Sequence, residues 1–155
     1  MIDACPDSAV LFFDVDGTLT FFDPDDMTDK DFSAVRPSRA VIEAFHRLRD
    51  AGHKAFICTG RPLWLIADSL RALEPAGIVA MAGATLEVEG RVVHEDCFDE
   101  DVIAELARRI SVAGGEALFE TNGATYSLEP VGVEQSFLLG AGVVHSVEEM
   151  RVDGR

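Results

Sequence analysis

Two short polar stretches carry the residues whose types could do chemistry: Asp14-Val15-Asp16-Gly17-Thr18 and Thr59-Gly60-Arg61. Two crowded carboxylates repel, and a hard cation relieves that repulsion. Mg2+ prefers oxygen ligands and keeps several waters, which leaves room in its shell for a phosphate oxygen. Gly17 lets the backbone turn tightly, so that amide groups can point inward at an anion. Thr59 adds a hydroxyl donor, and the Gly60 amide can approach an oxygen with no side chain in the way. With a phosphoryl group so held, one aspartate can attack phosphorus, and the other can protonate the leaving oxygen and later deprotonate a water. Asp14 and Asp16 are therefore the candidate catalytic and Mg2+-binding residues, and Gly17, Thr59, Gly60 and Arg61 the candidate substrate-binding set. Arg61 reads equally well as a phosphate ligand or as a surface salt-bridge partner.

These stretches can share a pocket only if the elements before them are neighbours. Ala9 to Phe13 is a short continuous apolar run, the pattern of a buried parallel strand, and it stops at Asp14. Pro37-Ser38 offers a helix start, and Val41, Ala44, Phe45, Leu48 and Ala51 recur at helical spacing up to Gly52, where a left-handed residue is wanted. A second apolar run, Ala55 to Cys58, ends at Thr59. The spacing of Ile66, Leu70 and Leu73 predicts a helix over 63–73, and Gly77 to Ala82 reads as a third buried strand. Strand, helix, strand, helix, strand is the grammar of a parallel α/β sheet, and such sheets bind ligands outside the carboxyl ends of their strands. The two polar stretches are then two walls of one pocket.

The pattern changes near Ala84. Thr85–Val88 and Arg91–His94 flank Glu89-Gly90 as a hairpin, Asp99 precedes a helix with Val102, Ile103, Leu106 and Ile110 on one face, and a second hairpin turns at Asn122-Gly123. The expected organisation is an α/β region over 1–84 and an antiparallel α+β region over 85–155. Beyond Pro130 the pattern weakens; Phe137-Leu138-Leu139 fits strand or helix, and 147–150 is ambiguous. The acidic stretch 22–36, with Asp23, Asp25, Asp26, Asp29 and Asp31, fits neither period and reads as a solvated loop.

Charge narrows the partners. Thirteen basic against 28 acidic residues give a net charge of −15 over 155 residues, which repels nucleic-acid backbones and anionic lipid. A phosphorylated metabolite needs a local reversal of that field, which a cation and converging amides would supply. Cys5, Cys58 and Cys97 are scattered, without a Cys-x-x-Cys pair, so neither a disulfide framework nor a thiolate zinc site is expected. His46, His53, His94 and His145 show no mutual ligand spacing. No stretch suggests a signal peptide or a membrane span, and the expected location is the cytoplasm.

Asp14-Val15-Asp16-Gly17-Thr18-Leu19-Thr20 after an apolar strand resembles the first signature of the haloacid dehalogenase-like superfamily, in its phosphatase branch. Ile57-Cys58-Thr59-Gly60-Arg61 resembles the second signature in the Cof-type sugar-phosphate phosphatases. The resemblance implies a Rossmann-like parallel sheet core followed by an α+β cap beginning near Thr85. It also implies Asp14 as nucleophile, forming an aspartyl-phosphate, and Asp16 as acid/base, with its backbone carbonyl helping to hold Mg2+. Thr59 and the Gly60 amide match the phosphate-binding position. The implied substrate is a small phosphomonoester such as a sugar phosphate.

Ala82-Gly83-Ala84 stands where Cof-type proteins usually have Asn-Gly-Ala. The lysine and the Gly-Asp motif that the family carries downstream of the cap are not among these residues: the lysines are Lys30 and Lys54, and Asp153 is the one aspartate after Asp101. The resemblance thus covers the N-terminal part of such an enzyme, with an incomplete core. Three readings follow: a phosphatase, a non-catalytic module that binds Mg2+, phosphate or a partner chain, and a phosphomutase or phosphotransferase. An incomplete core also leaves a raw sheet edge, which suggests either a homo-oligomer or pairing with a C-terminal half.

Overall fold

The structure is a computed structural model that describes residues 8–21, 36–115, 117–128 and 142–144. The expectations for the acidic loop, the 137–139 run and the 147–150 segment lie outside these residues, apart from Arg36. The chain divides into two compact units, Met1–Glu95 and Asp96–Arg155.

In the first unit, β1 (Val10–Phe13), β2 (Lys54–Cys58) and β3 (Gly77–Ala80) pair in parallel, with Phe13 opposite Ile57 and Ile57 opposite Ile78. The expected parallel core is present. Between β1 and β2 lies α1 (Arg39–Asp50), with Ser38 as N-cap, its side chain accepting from the Val41 amide at 3.3 Å. Such a cap is worth about 1 kcal/mol. At the other end, the amides of Gly52 and His53 close onto the carbonyls of Arg49 and Leu48, with Gly52 left-handed at φ +81°.

One face of this sheet is buried. Ala55, Ile57, Ile78 and Ala80 pack with Phe45 of α1 and with Leu63, Ile66, Ala67, Leu70 and Leu73 in a single core cluster. Ile57, Leu70 and Ile78 are almost fully buried, each stabilising the unit by about 1.5–3 kcal/mol. On the opposite face Val10 and Phe12 stay 56% and 61% exposed, with the Phe12 ring set against Phe56. β1 is an edge of the sheet among the described residues.

Two local expectations change. The single helix over 63–73 is instead a short 3-10 turn, Leu63–Leu65, followed by α2 (Asp68–Arg71). The backbone between them is extended at Ile66 and Ala67. Arg71 occupies the break: its guanidinium donates to the Leu63 carbonyl at 3.3 Å and to Glu87 at 2.8 Å. The third strand stops at Ala80, and Met81–Gly83 forms a tight turn.

The hairpin of β4 (Thr85–Val88) and β5 (Arg91–Glu95) does not open a separate region. β4 pairs antiparallel along β3, extending the sheet to the order β1-β2-β3-β4-β5, so the first unit runs to Glu95 rather than to Ala84. The close approach of β3 to both neighbours depends on Gly77, where a Cβ would lie 2.5 Å from the Glu87 carbonyl and 2.6 Å from the Phe56 ring.

The second unit holds α3 (Glu100–Val112), β6 (Ala117–Glu120), β7 (Thr125–Leu128) and β8 (Gly142–Val144). β6 and β7 form the expected hairpin, and β8 adds in parallel beside β7. Asp99 is the N-cap of α3 without a side-chain cap bond. The hairpin turn is organised by Thr121, whose hydroxyl accepts from the amides of Gly123 and Ala124, a recurring threonine device. Among the described residues no helix is long and apolar enough to cross a membrane.

Candidate active site

Parallel pairing of β1 with β2 brings Asp14 and Thr59 out at one edge of the sheet, just past the Phe13–Ile57 pair. Beyond β1 the chain makes a compact loop around the Val15 carbonyl, which accepts from the amides of Thr18, Leu19 and Thr20 and from the Thr20 hydroxyl at 3.0–3.2 Å. Val15, Leu19 and Thr20 are buried, whereas Asp14 and Asp16 are exposed. The alternation of acidic and apolar residues thus anchors the loop inward through Val15 and turns both carboxylates outward. Gly17 is left-handed at φ +85°, where its amide reaches the Thr20 carbonyl at 2.8 Å. A side chain there would meet nothing within 4 Å, so glycine is required by the backbone conformation and not by crowding.

Beyond β2 the second turn is held from three directions. The Thr59 amide donates to Val79 at 2.9 Å, and the Thr59 hydroxyl, on a side chain 4% exposed, accepts from the Arg61 amide at 3.1 Å. The carbonyls of Arg61 and Thr59 accept from the amides of Met81 and Ala82 at 3.0 and 3.1 Å. Because the Thr59 oxygen already accepts, its hydroxyl proton is left to donate. Gly60 is exposed and not left-handed, and a Cβ there would meet nothing within 4 Å. Neither strain nor packing asks for glycine at this position; its missing side chain leaves open the space above its amide.

Arg61 joins the two turns. Its guanidinium, on a side chain 5% exposed, donates to both oxygens of Asp16, from Nε at 3.1 Å and in a closer contact from Nη2. Arg61 is thus ion-paired with Asp16 from a buried position, with Asp16 itself 43% exposed. Asp14 makes no hydrogen bond or ion pair among the described residues. No group of three or more His, Cys, Asp or Glu side chains gathers as a metal cage among those residues.

Two supporting residues escape a reading of the sequence by chemical type. Met81 and Ala82, both non-glycine, sit left-handed at φ +50° and +54°, followed by Gly83 at +106°, and their amides brace the Thr59–Arg61 turn. Such backbone costs about 1–2 kcal/mol per residue and persists where surrounding bonds fix it. The available signal was the Ala82-Gly83 pair, standing where asparagine, a residue that tolerates this conformation, is usual in the resembling proteins. His53 accepts from the Ala9 amide through Nδ1 at 3.2 Å, Cys58 lies half-buried in β2, and Cys97 is exposed. Trp64 is partly buried along a hollow with Leu65, Asp68 and Ser69.

The family profile for haloacid dehalogenase-like hydrolases matches residues 11–150, and the chain belongs to that family. Among solved structures it is similar to the HAD subclass IIB sugar phosphatase BT4131, at 26% identity and a TM-score of 0.66, covering 92% of this chain and 54% of that one. The fold also matches the phosphatase BT1666 from Bacteroides thetaiotaomicron, with a TM-score of 0.75 at 22% identity, over 99% of this chain and 55% of that one. In sequence it is 26% identical over 103 residues to "Putative phosphatase YkrA" of Bacillus subtilis (strain 168), spanning 66% of this chain and 36% of that protein. The chain therefore spans about half the length of these solved relatives and about a third of the curated one.

Proposed function

We propose that this chain carries the nucleophile, the acid/base and the phosphate-binding turn of a Mg2+-dependent phosphatase acting on a small phosphomonoester, with a sugar phosphate as the substrate class. The observation that carries the reading is the junction of the two turns at one sheet edge through the Arg61–Asp16 pair. The named activity of the sugar phosphatase it resembles supports the substrate class.

In this reading the Thr59 hydroxyl and the Gly60 amide hold the phosphoryl oxygens, in the space the absent Gly60 side chain leaves open. Asp14, exposed and unpaired among the described residues, attacks phosphorus through a carboxylate oxygen as the bond to the ester oxygen breaks, and Asp16 gives its proton to that departing oxygen. Asp16 then takes a proton from the water that attacks the aspartyl-phosphate, releasing phosphate and restoring Asp14. The oxygen donors here suit a hard cation: Asp14 would hold Mg2+ through its carboxylate and Asp16 through its main-chain carbonyl. Bound there, Mg2+ supplies positive charge that offsets the repulsion between a carboxylate and a phosphate dianion.

The test is release of phosphate from p-nitrophenyl phosphate with and without Mg2+, in the wild-type chain and in Asp14→Asn. Turnover that requires Mg2+ and falls by at least about 100-fold in the variant is expected for loss of a covalent nucleophile. Turnover equal in the two proteins removes Asp14 from that role. Phosphate binding without any turnover favours the non-catalytic module.

A further inference from the structure

We propose that Arg61 is a positioning residue for Asp16: its guanidinium sets the plane and rotamer of the carboxylate that moves the proton, and does not bind the transferred phosphoryl group. The inference rests on the phosphatase reading and deepens it. Asp16 projects from an exposed loop, and its side chain is 43% exposed. A carboxylate in that setting samples several rotamers, only some of which aim an oxygen at the leaving group. Arg61 is the opposite, with a side chain 5% exposed on a backbone tied at its amide to Thr59 and at its carbonyl to Met81. Restraint therefore runs from the buried arginine to the exposed aspartate. Two parallel donors, Nε and Nη2, meet the two carboxylate oxygens, and that planar fork fixes orientation in a way a point charge cannot.

The consequence is selective for the leaving group. An alkoxide must receive the Asp16 proton as its bond to phosphorus breaks, whereas p-nitrophenolate departs readily without it. The experiment compares kcat and KM on an alkyl phosphate and on p-nitrophenyl phosphate for the wild-type chain, Asp14→Asn, Asp16→Asn, Arg61→Ala and Arg61→Lys, with circular dichroism to show that each is folded. Arg61→Ala should lower kcat/KM, which reports transfer to Asp14 and not the shared hydrolysis step, for the alkyl ester about tenfold or more beyond its effect on the aryl ester, and follow Asp16→Asn in that ratio. Arg61→Lys should share the defect, because an ammonium cannot form the fork, and it carries the test if Arg61→Ala does not fold. Added guanidinium ion should restore part of the alkyl rate in Arg61→Ala.

A rise in KM for both esters with an unchanged ratio of kcat/KM values overturns the inference and makes Arg61 a phosphate ligand. Turnover that is absent in the wild type, or persists in Asp14→Asn, overturns the phosphatase reading and this inference with it. Turnover that is lost in Asp14→Asn but shows no leaving-group selectivity in the Arg61 variants overturns the inference alone.

Discussion

Replacing Ala82 by glycine should stabilise the protein, against the usual direction of such a change. Ala82 is left-handed at φ +54°, ψ +28°, where the Cβ of an L-residue costs about 1–2 kcal/mol. Glycine removes that cost and returns about 0.5–1 kcal/mol through its greater freedom in the unfolded chain. The expected net gain is about 0.5–1 kcal/mol. Ala84, two residues on, is right-handed at φ −66°, ψ −21°, so Ala84→Gly has no strain to relieve and should lose about 0.5–1 kcal/mol. Ala82→Asn should also gain, since asparagine tolerates the left-handed region. Urea unfolding reads the contrast: with a slope of about 2 kcal/mol/M, the two glycine variants should move the midpoint in opposite directions by about 0.3–0.5 M. Equal destabilisation by both would refute the reasoning. Ala82 would then not be left-handed in solution, and its amide could not brace the Thr59 carbonyl as described.

Two further outcomes follow from the same contacts and charges. Thr59→Val deletes the oxygen that accepts from the buried Arg61 amide and should cost about 1–3 kcal/mol, whereas Thr59→Ser should lose much less; equal urea midpoints for the two variants would contradict the role given to the hydroxyl. In α3, hydrogen bonds from Arg108 and then Arg109 lower the Glu105 carboxyl from 4.5 to about 2. A depressed folded-state value means that this pair's contribution is full above pH 4.5 and is lost as pH falls toward about 2. Glu105→Gln should flatten that part of an acid titration followed by helical circular dichroism, and an unaltered curve would show the cluster to be without effect.

The parts of the fold that were legible in the sequence are those set by local pattern. The apolar runs before Asp14 and Thr59 became β1 and β2, Ser38 capped α1, and Glu89-Gly90 turned a hairpin with both residues left-handed. The helix over 63–73 failed for a reason periodicity cannot carry. Leu63, Ile66, Ala67 and Leu70 are all buried, as one helical face would require, yet the backbone opens where Arg71 takes the Leu63 carbonyl and reaches Glu87 on β4. The boundary at Ala84 failed similarly, because a hairpin pattern states that two strands pair with each other and not which third strand they join.

By itself the amino-acid sequence determined which groups can react and on which turns they stand, because strand ends, glycine turns and acidic spacing are written in adjacent residues. Only the tertiary structure decided what those groups do to one another. Arg61 meets Asp16 from 45 residues away, and the amides of Met81 and Ala82 brace a turn some twenty positions earlier in the chain. Such contacts arise when parallel strands bring distant turns to one edge, and no local spacing encodes them. Type and position belong to the chain; partner and orientation belong to the fold.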